Sequence, residues 1–82
     1  MSRPRTSRPR SRFHAAVGAR IKERREQLKL RQEQVAAELG TDTGMISRYE
    51  GGVIPCSTEV LAQLGKVLGC EPGDFVNGIK AK

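Results

Sequence analysis

Residues 32–50 read Gln-Glu-Gln-Val-Ala-Ala-Glu-Leu-Gly-Thr-Asp-Thr-Gly-Met-Ile-Ser-Arg-Tyr-Glu, and this stretch decides the fold. Its first eight residues are dense in helix formers, with Val35, Ala36 and Leu39 on one side at helical spacing. Gly40 follows, the residue type that ends helices in the left-handed conformation. Asp42 can then accept from the first free amides of a second helix, residues 43–50, whose Ile46 and Tyr49 face inward. The pattern predicts two short helices joined by a tight turn.

The flanking sequence supplies something for this pair to pack on. Phe13, Val17, Ile21 and Leu28 form one apolar stripe with charges elsewhere, predicting an amphipathic helix over 13–29. Arg25 interrupts that stripe, so it either snorkels outward or meets a buried anion. On the other side, Gly51, Gly52 and Pro55 make a loop. Ser57 can cap a helix over 58–68 that turns Val60, Leu61, Leu64, Val67 and Leu68 inward, and Gly69 ends it. Asp74 to Val76 can add a last short turn, with Phe75 plugging the core. No segment alternates with period two, so no strand is expected. The expected fold is all-α: a compact bundle of four helices plus a short fifth, over residues 13–78, with 79–82 a frayed tail.

Composition narrows the function. Eighty-two residues make one domain, and no run of eighteen apolar residues exists to span a membrane. The N-terminus is charged with no apolar stretch behind it, unlike a secretory signal, so the expected compartment is the cytoplasm. Cys56, Cys70 and the single His14 are too few for a zinc site, and two free thiols are expected. There is no catalytic constellation and no phosphate-cradling glycine loop, so neither an enzyme nor a cofactor is expected. The net charge of +6 is unevenly placed. Residues 1–12 hold Arg3, Arg5, Arg8, Arg10 and Arg12 with no acid, whereas 13–82 carry ten bases against nine acids. Rich in Arg, Ser and Pro with nothing to bury, residues 1–12 are expected to be a disordered arm. It is either a solubilising tail or an arm that neutralises phosphates or enters a minor groove.

Two short helices on a glycine-containing turn outline a DNA-reading helix-turn-helix. That motif needs a small residue where its helices cross, and Ala36 is small. It needs a residue tolerant of positive φ in the turn, which Gly40 supplies. It needs an outer face on the second helix short or polar enough for a major groove. Thr43, Gly44, Ser47 and Arg48 meet that demand.

The run Gln32-Glu-Gln-Val-Ala-Ala-Glu-Leu-Gly, then Ile46-Ser-Arg-Tyr-Glu-x-Gly52, then Val60-Leu61 and Leu64, resembles the Cro/repressor-type (XRE-like) helix-turn-helix family. The resemblance spans about residues 17–76. It implies a lambda-repressor-like domain that binds double-stranded operator DNA, usually as a homodimer on an inverted repeat. It also implies base contacts from Thr43, Gly44, Ser47 and Arg48, and a phosphate contact from Gln32, which braces the reading helix. Arg31 stands where the family usually has a Thr or Ser cap, so that cap is weaker, though Arg31 can add a phosphate contact. Arg10 and Arg12 are further phosphate candidates. Gly44 costs roughly 1 kcal/mol against Ala inside a helix; it either admits close backbone approach to DNA or is simply a poor residue. Pro55 comes one residue early, with Cys56 in the family's Pro position. The family pattern also pairs Arg25 with Glu50, implying a largely buried ion pair.

Arg48 can grip a guanine edge through two donors or clamp a phosphate. The basic band Arg20, Lys22, Arg24 and Lys29 is either a solvated face or a source of phosphate contacts. The rival reading of the chain is an antitoxin-type or adaptor module with a small protein partner and autoregulatory DNA binding. RNA is a weaker expectation, because Tyr49 is inward and no other aromatic is free to stack. Ile54, Phe75, Val76 and Ile79 are candidates for a dimer surface on apolarity alone, with Phe75 better read as core.

Overall fold

Helix boundaries are set by side chains that catch free backbone amides. In a computed structural model describing residues 9–79, α1 runs Arg12–Gln27, α2 Gln32–Leu39, α3 Thr43–Glu50 and α4 Thr58–Leu68, followed by a single 3-10 turn, Pro72–Phe75. Asp42 Oδ1 accepts from the Met45 amide at 2.8 Å, and Ser57 Oγ from the Val60 amide at 3.1 Å, the caps expected for α3 and α4. Ser11 Oγ accepts from the His14 amide at 3.1 Å, so α1 starts one residue earlier than its apolar stripe suggests. Arg31 makes no side-chain cap for α2; instead Gln34 Oε1 accepts from the Arg31 amide at 2.7 Å. Gly40 and Gly69 both end their helices at φ +71°, as the sequence predicted.

Two expectations need correction. α1 stops at Gln27, not residue 29, because the chain reverses at Lys29, which takes a φ of +59°. The turn leaves Leu28 40% exposed and brings Leu30 against the core in its place. The last turn begins at Pro72 rather than Asp74. Pro72 suits the first position of such a turn, and the Asp74 carboxylate accepts from the Glu71 amide at 2.9 Å.

The core comprises Val17, Ile21, Val35, Ala36, Ile46, Leu64, Leu68 and Phe75, with at least one residue from every helix and from the closing turn. α2 and α3 pack on each other, α1 lies across α3, and α4 backs α2. Phe75 closes the bottom at 2% exposure. Among the described residues there is no strand, and no helix is long and apolar enough to cross a membrane. Residues 1–8 and 80–82, most of the expected arm and tail, lie outside the described residues.

Candidate nucleic-acid interface

The 3.6-residue period splits α3 into two unlike faces. Ile46 and Glu50 point inward and are buried, while Thr43, Gly44, Ser47 and Arg48 are all exposed on the outer side. The outer face is compact. Arg48 folds back so that Nη1 lies 3.7 Å from Met45 Sδ, and a Cβ built on Gly44 would lie 3.3 Å from Asp42 Oδ1 and 3.7 Å from Arg48 Nη1. Glycine here keeps the face clear between the cap and the guanidinium.

What fixes this face is the carboxylate at the helix's far end. Glu50 accepts from Arg25 Nε at 2.6 Å and from Arg25 Nη2 at 3.1 Å. Its Oε1 also accepts from Gln32 Nε2 at 2.9 Å. Arg25 spends a further N–H on the Leu30 carbonyl at 2.8 Å. One buried carboxylate thus joins α1, α2 and α3. The hydrogen bond to Glu50 raises the Arg25 pKa above its ordinary value, against the opposing effect of burial. Among the described residues no buried side-chain polar atom lacks a partner. The Arg25–Glu50 pairing is present and bidentate.

Two glycines do comparable work: sequence reasoning missed Gly18 altogether and read Gly52 only as a loop and motif residue. A Cβ on Gly18, inside α1, would overlap the carbonyls of Tyr49 and Glu50. Gly52, at φ +71°, lies so close to Ala15 that a Cβ would stand 2.7 Å from its backbone. The first half of α1 therefore holds the C-terminal end of α3 by backbone-to-backbone approach. The available signal was Gly18 itself, since glycine in a helix costs roughly 1 kcal/mol against alanine and calls for a packing reason.

The basic band of α1 also resolves differently from its expectation. Arg20 Nη1 donates to the carbonyls of Asn77 at 2.6 Å and Asp74 at 3.2 Å. Arg24 Nε donates to the Leu68 carbonyl at 2.8 Å, and its Nη2 to that of Gly69 at 3.4 Å. These two arginines cap the ends of α4 and of the closing turn, where helix carbonyls lack partners. Lys22 and Lys29 remain on the solvated face.

Of the residues expected at phosphates, Arg31 and Gln32 line one shallow groove with Thr43, the first residue of α3, while Arg10 and Arg12 are exposed. The Arg10 amide donates to the Gly52 carbonyl at 2.8 Å, so the end of the arginine-rich stretch sits beside the loop that leaves α3. Phe75 belongs to the core, while Ile54, Val76 and Ile79 are half-buried. Cys56 and Cys70 are free thiols, and burial pushes Cys56 up to about 11. Among the described residues no cluster of His, Cys, Asp and Glu has the makings of a metal site.

A family model described as a helix-turn-helix domain matches residues 16–75. Among solved structures, the P22 c2 repressor in complex with a synthetic operator is similar at 33% identity and a TM-score of 0.70, covering 77% of this chain and 96% of that one. The clp gene regulator ClgR of Corynebacterium glutamicum is similar at 25% identity and a TM-score of 0.74, covering 79% and 84%. The restriction-modification controller protein C.AhdI of Aeromonas hydrophila matches at 28% identity and a TM-score of 0.70, covering 74% and 88%. No curated protein sequence matches.

Proposed function

Since the chain belongs to the XRE-like helix-turn-helix family, we propose that it is a sequence-specific DNA-binding regulator of transcription that inserts α3 into the major groove of an operator. The observation that carries this reading is the two-faced α3. Its inner face is locked by the Arg25–Glu50–Gln32 network, and its outer face is small, polar and exposed. A rigid helix with such a face fits a groove about 12 Å wide. Thr43, Gly44, Ser47 and Arg48 meet base edges, with Arg48 holding a guanine through two parallel N–H donors.

Gln32 and Arg31 meet a phosphate beside the start of α3, and Arg10 and Arg12 meet phosphates near its end. Gln32 uses one amide N–H on Glu50, and its second remains for a phosphate oxygen. A contact there would transmit DNA binding to the same carboxylate that orients α3. Two copies on an inverted repeat would double the base contacts, and the half-sites would then lie about one helical turn apart.

Selection of bound duplexes from a random pool tests the proposal. Enrichment of an inverted repeat is expected. A pool that stays at background composition through successive rounds would remove the specific-regulator reading.

A further inference from the structure

Three helices of this chain begin on a side chain that accepts from a backbone amide: Ser11 for α1, Asp42 for α3 and Ser57 for α4. Ser, Asn and Asp cap almost equally well, so capping alone does not call for an acid at α3. The helix dipole favours an acid at a helix start, but it does so at all three. Against a polyanion the acid carries a cost that a serine would avoid. Asp42 Oδ1 accepts from the Met45 amide at 2.8 Å, and no described group donates to Oδ2. The residue is exposed, and its carboxylate leans over the outer face of α3. A Cβ built on Gly44 would stand 3.3 Å from Asp42 Oδ1 and 3.7 Å from Arg48 Nη1. A carboxylate and a guanidinium thus face each other across the space of one missing methyl group. Among the described residues the ion pairs are those of Arg25 with Glu26 and Glu50, so this acceptor and this donor remain open to a ligand.

We propose that Asp42 is a specificity-determining residue of the interface: its Oδ2 accepts from the exocyclic N4 amine of a cytosine, in the base pair next to the guanine held by Arg48. The proposal rests on the DNA-reading role proposed for α3. Phosphates and the major-groove edges of guanine and thymine offer acceptors only, and all of them repel a carboxylate. Cytosine N4 and adenine N6 are the donors there, and the adenine donor sits beside the N7 acceptor. An aspartate at this position therefore selects by attraction to cytosine and by repulsion of guanine and thymine. Arg48 occupies its guanine with both donors, and successive pairs follow at about 3.4 Å, so an acceptor one methyl's width away falls on the neighbouring pair. Glycine at position 44 leaves the base edges room to come between the two charged groups, a space that any side chain would fill.

The test compares the unaltered full-length chain with Asp42→Asn and Asp42→Ser. Each is titrated by fluorescence anisotropy onto the duplex enriched by the unaltered chain and onto its full set of single-base-pair variants, at one salt concentration. Asn and Ser both keep the cap, so circular dichroism should show the same helix content in all three proteins. The Asn oxygen stays on the Met45 amide, so the atom facing the bases changes from an acceptor to an N–H donor. At one C·G pair in each half-site the unaltered chain is expected to prefer cytosine over thymine by on the order of tenfold. Asp42→Asn should move that preference to a base with an acceptor, and Asp42→Ser should erase it, with the neighbouring guanine still selected by both. If both variants bind every duplex more tightly by one common factor, the carboxylate is only a cap that repels phosphates, and the proposal is overturned. Unchanged preferences at every pair in both variants overturn it as well. If the unaltered chain enriches no sequence, the α3 reading itself has failed and Asp42 has no base to select; a selected guanine with an indifferent neighbour defeats Asp42 alone.

Discussion

Replacing Arg25 with methionine keeps most of the side chain's bulk and removes its charge. Glu50, whose side chain is only 4% exposed, would then lose the donors at 2.6 and 3.1 Å and keep one, Gln32 Nε2 at 2.9 Å. The Leu30 carbonyl would lose its guanidinium donor as well. Removing one partner of a buried pair costs about 3–5 kcal/mol, because the remaining charge stays desolvated and uncompensated. A fold of this size holds only about 4–11 kcal/mol in total, at about 0.05–0.15 kcal/mol per residue. At about 4–8 °C per kcal/mol, Arg25→Met should lower Tm by at least about 12 °C, and Glu50→Met should do similarly. The double variant separates a strained charge from a general loss of packing. With both charges gone and the space filled by apolar groups, stability should return most of the way toward the unaltered protein. Thermal melts followed by circular dichroism at one protein concentration give all four corners of this cycle. If Arg25→Met melts within about 3 °C of the unaltered chain, or if the two single losses simply add, the carboxylate does not hold the three helices as described.

Three further outcomes follow from the same structure. Gly18→Ala would gain about 1 kcal/mol of helix propensity but drive a methyl into the Tyr49 and Glu50 carbonyls, so a net loss of about 1–3 kcal/mol is expected in denaturant melts; a gain would mean α1 crosses α3 less closely. Burial pushes the Cys56 thiol from 9.0 up to about 11, so between those values the unfolded chain releases a proton that the folded chain keeps. Stability should therefore decline as pH rises from about 9 to 11, and Cys56→Ala should flatten that part of the profile; identical profiles would place the thiol in contact with solvent. Arg20→Ala removes the donor shared by the Asp74 and Asn77 carbonyls, and should cost about 1 kcal/mol while speeding amide exchange in residues 72–79 more than in α2.

Much of this architecture was legible in the residues because local chemistry and tertiary packing agree. Asp42, Ser57, Gly40 and Gly69 stand where a cap or a left-handed turn is required, and each does what its side chain, or lack of one, dictates. The Arg25–Glu50 pair was legible for a different reason. Arg25 breaks the apolar stripe of α1, and the family resemblance then supplied its partner. What stayed hidden depends on distances that no periodicity encodes. Leu28 fits the stripe of α1 but falls outside it because Lys29 turns the chain, and a lysine at positive φ carries little sequence signal. Gly18 is needed because two backbones nearly touch, and Gly52 both for that reason and for its φ of +71°. Arg20 and Arg24 looked like a solvated band because their acceptors, the carbonyls of residues 68, 69, 74 and 77, lie more than forty positions away. On the outer face of α3, residue type narrowed the contacts to four candidates, and the structure leaves all four exposed.

Proposed base reading by α3 comes down to what Arg48 touches. Binding of the unaltered chain and of Arg48→Ala should be compared on the enriched duplex and on a full set of its single-base-pair variants, at two salt concentrations. Arg48→Ala should lose about 1–3 kcal/mol on the enriched duplex and become indifferent to one G·C pair in each half-site, with preferences elsewhere and the salt slope unchanged. A uniform loss across every duplex, with the salt slope reduced by about one, would contradict it and make Arg48 a phosphate clamp rather than a reader of bases.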